Sequence, residues 1–235
     1  MKIDELSAWL LHQRPAKNTT SEVFFLTQER GLVRAFCAGA KRSKRAMLQP
    51  FTPLWLTLNE RAYGAYVKQL EIATAPYFLT GDNLLSGLYL NELLYRALKP
   101  EMSDARLFDA YKNALNALCI ATHQNLTEVA LRRFESVLVE VSGYQVSYVS
   151  TANTQQAIIQ DARYAFIPGE GFILDEQGFL GQHILAIGAD KWDDVAVLKP
   201  AKLIMRRAID HLLDGAIIKT RALYVGYSGV EEIKS

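Results

Sequence analysis

Lys41, Arg42, Lys44 and Arg45 place four cations within five residues, with no acid among them. Like charges that close repel one another and gain nothing from being folded together. A strand-like apolar run flanks them on each side, at residues 32–38 and 54–58, so they sit on a loop leaving a β-domain. Such a loop makes sense where something polyanionic comes to meet it, and nucleic acid is the first candidate. Further cations, Arg34, Arg61 and Lys68, fall among the aromatics Phe36, Phe51, Trp55, Tyr63 and Tyr66. Cations that track a phosphate backbone, beside rings on which bases stack, are the physical recipe for sequence-tolerant single-strand binding. The alternative is that Phe36 and Phe51 are barrel core and the cluster is solvated surface. Lys199, Lys202 and Arg206 form a second basic stripe at i, i+3 and i+7, open to the same two readings.

Other chemistry is poorly served. The four histidines (His12, His123, His183, His211) have no Cys or second His at metal-ligand spacing. Gly226-Tyr227-Ser228-Gly229 lacks the spacing of a nucleophile elbow, and Gly39 to Lys41 lacks the two-glycine frame of a phosphate loop. Asp190, Asp193 and Asp194 could hold a hard cation, but an exposed acidic loop explains them equally well. Neither an enzyme, a cofactor nor a metal is expected.

The elements that position these residues follow from periodicity. Leu54, Leu56 and Leu58 alternate with Trp55, Thr57 and Asn59, the pattern of a half-buried strand. Residues 7–13, 23–27, 32–37 and 63–72 add four more strands, with a turn at residues 28–31. Five short strands in about 70 residues predict a small closed barrel, the OB-fold being the natural candidate. Beyond Pro76 the period changes. Leu84, Leu88, Asn91, Tyr95 and Leu98 share one helix face; Leu107, Phe108, Tyr111, Leu115 and Leu118 mark a second helix. Ala130, Phe134, Val137, Leu138 and Val141 mark a third, closed by Gly143, and Ala201, Ile204, Ala208 and Leu212 mark a last one. The expected fold class is α+β. An OB barrel over residues 1–80 precedes a helical region over 81–235, with an irregular insert at 144–182.

Of 235 residues half are hydrophobic, which is ordinary globular composition, and the net charge is +1. The charge is uneven: residues 1–80 carry 11 Lys/Arg against 6 Asp/Glu, while both later thirds are mildly acidic. That asymmetry favours two regions with different partners. Cys37 and Cys119 both lie in apolar surroundings and are expected as buried free thiols of a reducing compartment. With no apolar run near ~20 residues, no membrane span is expected and the chain reads as cytoplasmic.

Several segments together resemble the RecO family of bacterial recombination mediators and DNA-annealing proteins. They are Leu11-His12-Gln13-Arg14-Pro15, Ala38-Gly39-Ala40-Lys41-Arg42-Ser43, Leu48-Gln49-Pro50-Phe51-Thr52-Pro53-Leu54 and Ser86-Gly87-Leu88-Tyr89-Leu90-Asn91-Glu92-Leu93-Leu94. Leu131-Arg132-Arg133-Phe134-Glu135, Gly143-Tyr144, Ala201-Lys202 and Lys219-Thr220-Arg221-Ala222-Leu223 follow in order. The resemblance implies an OB-fold followed by helices, binding of single- and double-stranded DNA, and annealing without ATP. It further implies a nucleoid-associated protein working with RecR to load RecA onto gaps coated by single-stranded-DNA-binding protein. Many relatives carry a four-cysteine zinc module. Residues 143–181 hold no cysteine here, so this chain should have only a degenerate, metal-free version. Docking of the binding protein's acidic, hydrophobic C-terminal tail needs an apolar pocket with a cation for the terminal carboxylate. Arg132 is the expected anchor, directed outward or into a groove between helices. Arg133 stands in reserve, and Leu88, Leu131 and Leu138 are pocket neighbours. Alternatively both arginines pair with Glu128, Glu135 or Glu140 on their own helix. A competing reading is an OB-fold scaffold for RNA or protein that anneals nothing.

Overall fold

The computed structural model describes residues 5–16, 20–38, 46–62, 64–100 and 102–223. The cluster Lys41, Arg42, Lys44 and Arg45 lies outside the described residues, as do Tyr63 and the stretch 226–229. Two compact units emerge: one runs to Ile120 and resumes at Ile218, the other is Ala121–Ile217.

In the first unit, β1 (Glu5–Pro15), β2 (Ser21–Thr27), β3 (Gly31–Cys37), β4 (Pro53–Arg61) and β5 (Gly64–Ile72) close into a barrel of order β1-β2-β3-β5-β4. All neighbours are antiparallel except β3 and β5, whose parallel pairing (Ala35↔Ala65, Phe36↔Tyr66) seals it. This is the expected five-stranded OB-fold. Alternation fills its interior with Leu6, Ala8, Leu10, Val23, Phe25, Ala35, Leu54 and Leu56. Cys37 joins that core, whereas Cys119 is exposed, its Sγ facing the Phe78 carbonyl at 3.8 Å. The expectation of two buried thiols therefore holds for one only. Apolar sequence neighbours do not bury a residue at the open end of a helix.

Outside the barrel lie α1 (Gly81–Ala97) and α2 (Ala105–Ile120). They explain why β1 is apolar on both sides. Trp9, turned away from the interior, meets the rings of Tyr111, Tyr77 and Phe108 at 5.4, 5.5 and 6.4 Å. Gly87 lets α1 come close: a Cβ there would fall 2.6 Å from Leu79 Cδ1 and 2.9 Å from the Phe51 ring. Phe51 is thus core, 4% exposed, and held at φ 61°.

The second unit contains α3 (Gln124–Val141), β6 (Arg163–Ile167), β7 (Gly171–Leu174), β8 (Phe179–Leu180), α4 (Gly181–Gly188) and α5 (Leu198–Leu212). Its core gathers Phe134, Leu138, Tyr164, Phe166, Phe172, Ile184, Ile204 and Ala208. Gly143, at φ 92°, closes α3 as expected. Residues 144–182 are more regular than expected: β7-β6-β8 form a three-stranded sheet. Of its strands of 5, 4 and 2 residues, β7 contains the apolar run Phe172-Ile173-Leu174 between glycines, which reads from sequence as a short strand or turn piece. The other two are too short for a period to show. Among the described residues no helix is long and apolar enough to cross a membrane.

Candidate nucleic-acid interface

Because Val23, Phe25, Ala35, Cys37 and Val67 point into the barrel, their sequence neighbours Glu22, Phe24, Arg34, Phe36 and Tyr66 point out. Register then aligns them across strands. Arg14 stands opposite Glu22, Glu22 opposite Phe36, Phe36 opposite Tyr66 and Tyr66 opposite Asn59. One row thus crosses the whole wall of the barrel.

Arg14 reaches this row through an irregularity. The β1–β2 register shifts between Leu10 and His12, leaving Leu11 as the extra residue. Such a bulge inverts the alternation, so Leu10 points inward while His12 and Arg14 point outward. From α1 the Asn91 amide Nδ2 lies 3.5 Å from the Leu10 carbonyl, and Tyr111 donates its hydroxyl to Asn91 Oδ1 at 2.5 Å.

At the parallel seam the half-buried Phe36 and Tyr66 rings lie 5.6 Å apart, tilted by 38°. Arg34 lies over Phe36 at 5.7 Å and Arg61 over Tyr66 at 4.9 Å, and both arginines are exposed. Two guanidiniums thus flank two partly open ring faces, the arrangement that stacks bases and neutralises phosphates together. Lys68 is exposed on β5, two residues beyond Tyr66. At the far end Arg14 covers Phe24 at 5.6 Å, and His12 lies 4.5 Å from the Tyr95 ring.

The charges of this face are coupled. Arg14 and Arg34 both donate Nε to Glu22, whose side chain is 6% exposed. The hydrogen bond from Arg14, against the penalty of burial and with help from Arg34, holds the Glu22 carboxyl below its ordinary value. Burial, then the nearby Arg14 and Arg96 charges, lowers His12, which favours the neutral ring.

The remaining predicted residues are dispersed. Lys199 and Arg206 are exposed on α5, whereas Lys202 Nζ is engaged 2.5 Å from Glu128 Oε1 on α3. Arg132 does not point outward: at 5% exposure it donates to Glu135 Oε1 at 3.1 Å and lies 3.8 Å from Glu128 Oε2. The reason is that α3 buries a wide arc, Ala130, Leu131, Arg132, Phe134, Glu135 and Leu138, beyond its apolar stripe. Arg133 is exposed and donates to Asp190 at 2.8 Å. Asp190 also accepts from Trp192, and Asp194 caps the short turn at Val195–Val197. Leu131 and Leu138 are buried in the second unit, while Leu88 is half-buried on α1 of the first. Arg14 and Glu22 escaped sequence reasoning, because only the register brings them beside Arg34.

Both parts of the chain match known families: residues 1–76 match Recombination protein O N terminal, and residues 79–220 match Recombination protein O C terminal. The chain is 42% identical over 226 residues to the DNA repair protein RecO of Legionella pneumophila (strain Paris), covering 95% of this chain and 99% of that protein. It is 35% identical over 236 residues to the DNA repair protein RecO of Salmonella schwarzengrund (strain CVM19633), covering 97% and 96%.

Proposed function

The chain belongs to the RecO family, and from that membership we propose that it is a non-catalytic, DNA-binding mediator of recombinational repair. It binds single- and double-stranded DNA and anneals complementary strands without a nucleotide. The observation that carries this reading is the wall of the barrel, where Arg34, Phe36, Tyr66 and Arg61 set two guanidiniums against a pair of partly open rings. Bases lie on Phe36 and Tyr66 while the arginines take flanking phosphates. The cations Lys41, Arg42, Lys44 and Arg45, and the exposed Lys68 of β5, add further phosphate contacts. Lys199, Lys202 and Arg206 supply a second basic surface on α5, so that one molecule can hold two strands.

In the cell the protein works at the nucleoid with RecR, helping to load recombinase onto gaps coated by single-stranded-DNA-binding protein. The acidic C-terminal tail of that protein is captured on the second unit. There Arg133 is the exposed cation of α3 and stands in for the buried Arg132.

Pairing of two complementary labelled oligonucleotides in the absence of ATP tests the proposal. Wild type should accelerate it. Phe36→Ala and Tyr66→Ala should each weaken single-strand binding by about 1–3 kcal/mol with the fold intact, since neither ring belongs to the barrel core. Binding of RNA or protein with no acceleration of DNA pairing would favour a scaffold instead.

A further inference from the structure

A buried acid in the middle of a surface suited to anions calls for a reason. Glu22 is 5% exposed, yet its neighbours on the row are guanidiniums and rings. By Coulomb's law alone it weakens the attraction of that wall for phosphate. Its burial adds a desolvation cost, offset only where excellent partners surround the carboxylate.

Those partners are arranged symmetrically. Arg14 gives Nε to Oε2 and Arg34 gives Nε to Oε1, so each carboxylate oxygen holds one guanidinium. The carboxylate is hidden, but the Arg14 and Arg34 side chains are 52% and 58% exposed. Each guanidinium also lies on a ring, Arg14 over Phe24 and Arg34 over Phe36. Held by ring and carboxylate, neither arginine needs further ordering when a ligand arrives. With Nε occupied, the terminal nitrogens of both have no other partner among the described residues. Planar guanidiniums offer several donors in fixed directions, so the occupied one leaves others for an anion. The trio carries a net charge of +1.

We propose that Glu22 is the positioning residue of a seat for one backbone phosphate of single-stranded DNA, with Arg14 and Arg34 as its two jaws. The seat lies beside Phe36, so the phosphate it holds belongs to a nucleotide whose base reaches the Phe36–Tyr66 pair. The bulge at Leu11 is part of the device, because without the inverted alternation Arg14 would point into the barrel. This inference rests on the DNA-binding reading and goes beyond it, by assigning a carboxylate to the preparation of an anion site.

The test is binding of labelled oligothymidine by fluorescence anisotropy across a salt series, with thermal melting to confirm folding. Glu22→Gln removes a negative charge, so electrostatics alone would tighten binding. The seat requires the opposite, a weakening of about fivefold to tenfold as the jaws lose their common support. Glu22→Asp keeps the charge on a shorter arm and should weaken binding similarly. Folding should survive, because both arginines are half exposed and can turn to water. Arg14→Gln, Arg34→Gln and the double variant should all reduce the log–log salt slope by the same ~0.7, the value for one neutralised phosphate. Binding by folded Glu22→Gln as tight as wild type or tighter, wild-type affinity in Glu22→Asp, or a slope loss of ~1.4 in the double variant, would each overturn the seat alone. If wild type bound no oligothymidine, the DNA-binding reading would fall and the seat with it.

Discussion

Arg132 and Arg133 are adjacent on α3, yet one is buried against Glu135 and the other exposed against Asp190. Their substitutions should therefore separate cleanly. Arg132→Ala removes the guanidinium from a Glu135 that is itself 1% exposed, and should cost about 3–5 kcal/mol of unfolding free energy. Arg133→Ala should change stability by under about 1 kcal/mol, since its ion pair is solvent-screened. It should instead weaken capture of an acidic, apolar-ended tail peptide. Denaturant titration and peptide binding on the two variants read both effects, and a tail that binds Arg133→Ala normally removes Arg133 as the anchor. The same contrast shows what single residues disclose. Arg34 and Arg61 could be picked out because cations set among strand aromatics suit a wet, charged wall. Phe36 reads equally as core, as Phe51 is, until register turns it outward. Burial of Arg132 could not, because an arginine in an amphipathic helix looks like a solvated residue until its acidic partners are seen to be buried with it. Likewise Glu22 reads as an ordinary surface acid until register places it between two arginines.

Among the elements, regularity decided what was legible. The strands of the barrel and the long helices repeat their periods several times, so Leu54, Leu56 and Leu58, or Phe134 and Leu138, announce their faces. The bulge in β1 was not legible. A single extra residue leaves the run Ala8-Trp9-Leu10-Leu11 uniformly apolar, and its effect appears only in which later side chains face out. Nor was the purpose of Gly87, which sits inside α1 where glycine is a poor helix former. Its neighbours explain it. Gly87→Ala should gain about 1 kcal/mol in helix propensity but force a methyl against Leu79 and a Phe51 ring that is too buried to swing away. Overpacking of this kind costs about 1–3 kcal/mol, so a net loss is expected, seen as a lower urea midpoint. An unchanged or higher midpoint would mean that the Phe51 segment yields.

At the scale of the whole molecule, the first unit is assembled from two distant pieces of chain. Their fastening is Glu92 of α1, which accepts the backbone N–H of Lys219 at 2.9 Å and of Thr220 at 2.8 Å, and the Nε of Arg96 at 2.8 Å. Ile218 is buried alongside at 4% exposure. Burial alone would raise the Glu92 carboxyl, but the two N–H groups and Arg96 outweigh it and hold it below the ordinary value. A carboxyl lowered on folding stabilises fully above its unfolded value of about 4.3 and loses that contribution as pH falls through the folded value. Wild type should thus exceed Glu92→Gln in stability near pH 7, and the gap should close below about pH 4 in urea unfolding. A gap independent of pH would show that the fastening is not ionic.

That fastening also bears on how the protein is made. A ribosome completes β1 to α2 and then synthesises the 97 residues of the second unit before Lys219 and Thr220 exist. At about 5–20 residues per second the nascent barrel waits roughly 5–20 s with the Glu92 carboxylate lacking its two amide donors. During that interval the second unit can fold on its own contacts, so the first unit to begin emerging is the last to be finished.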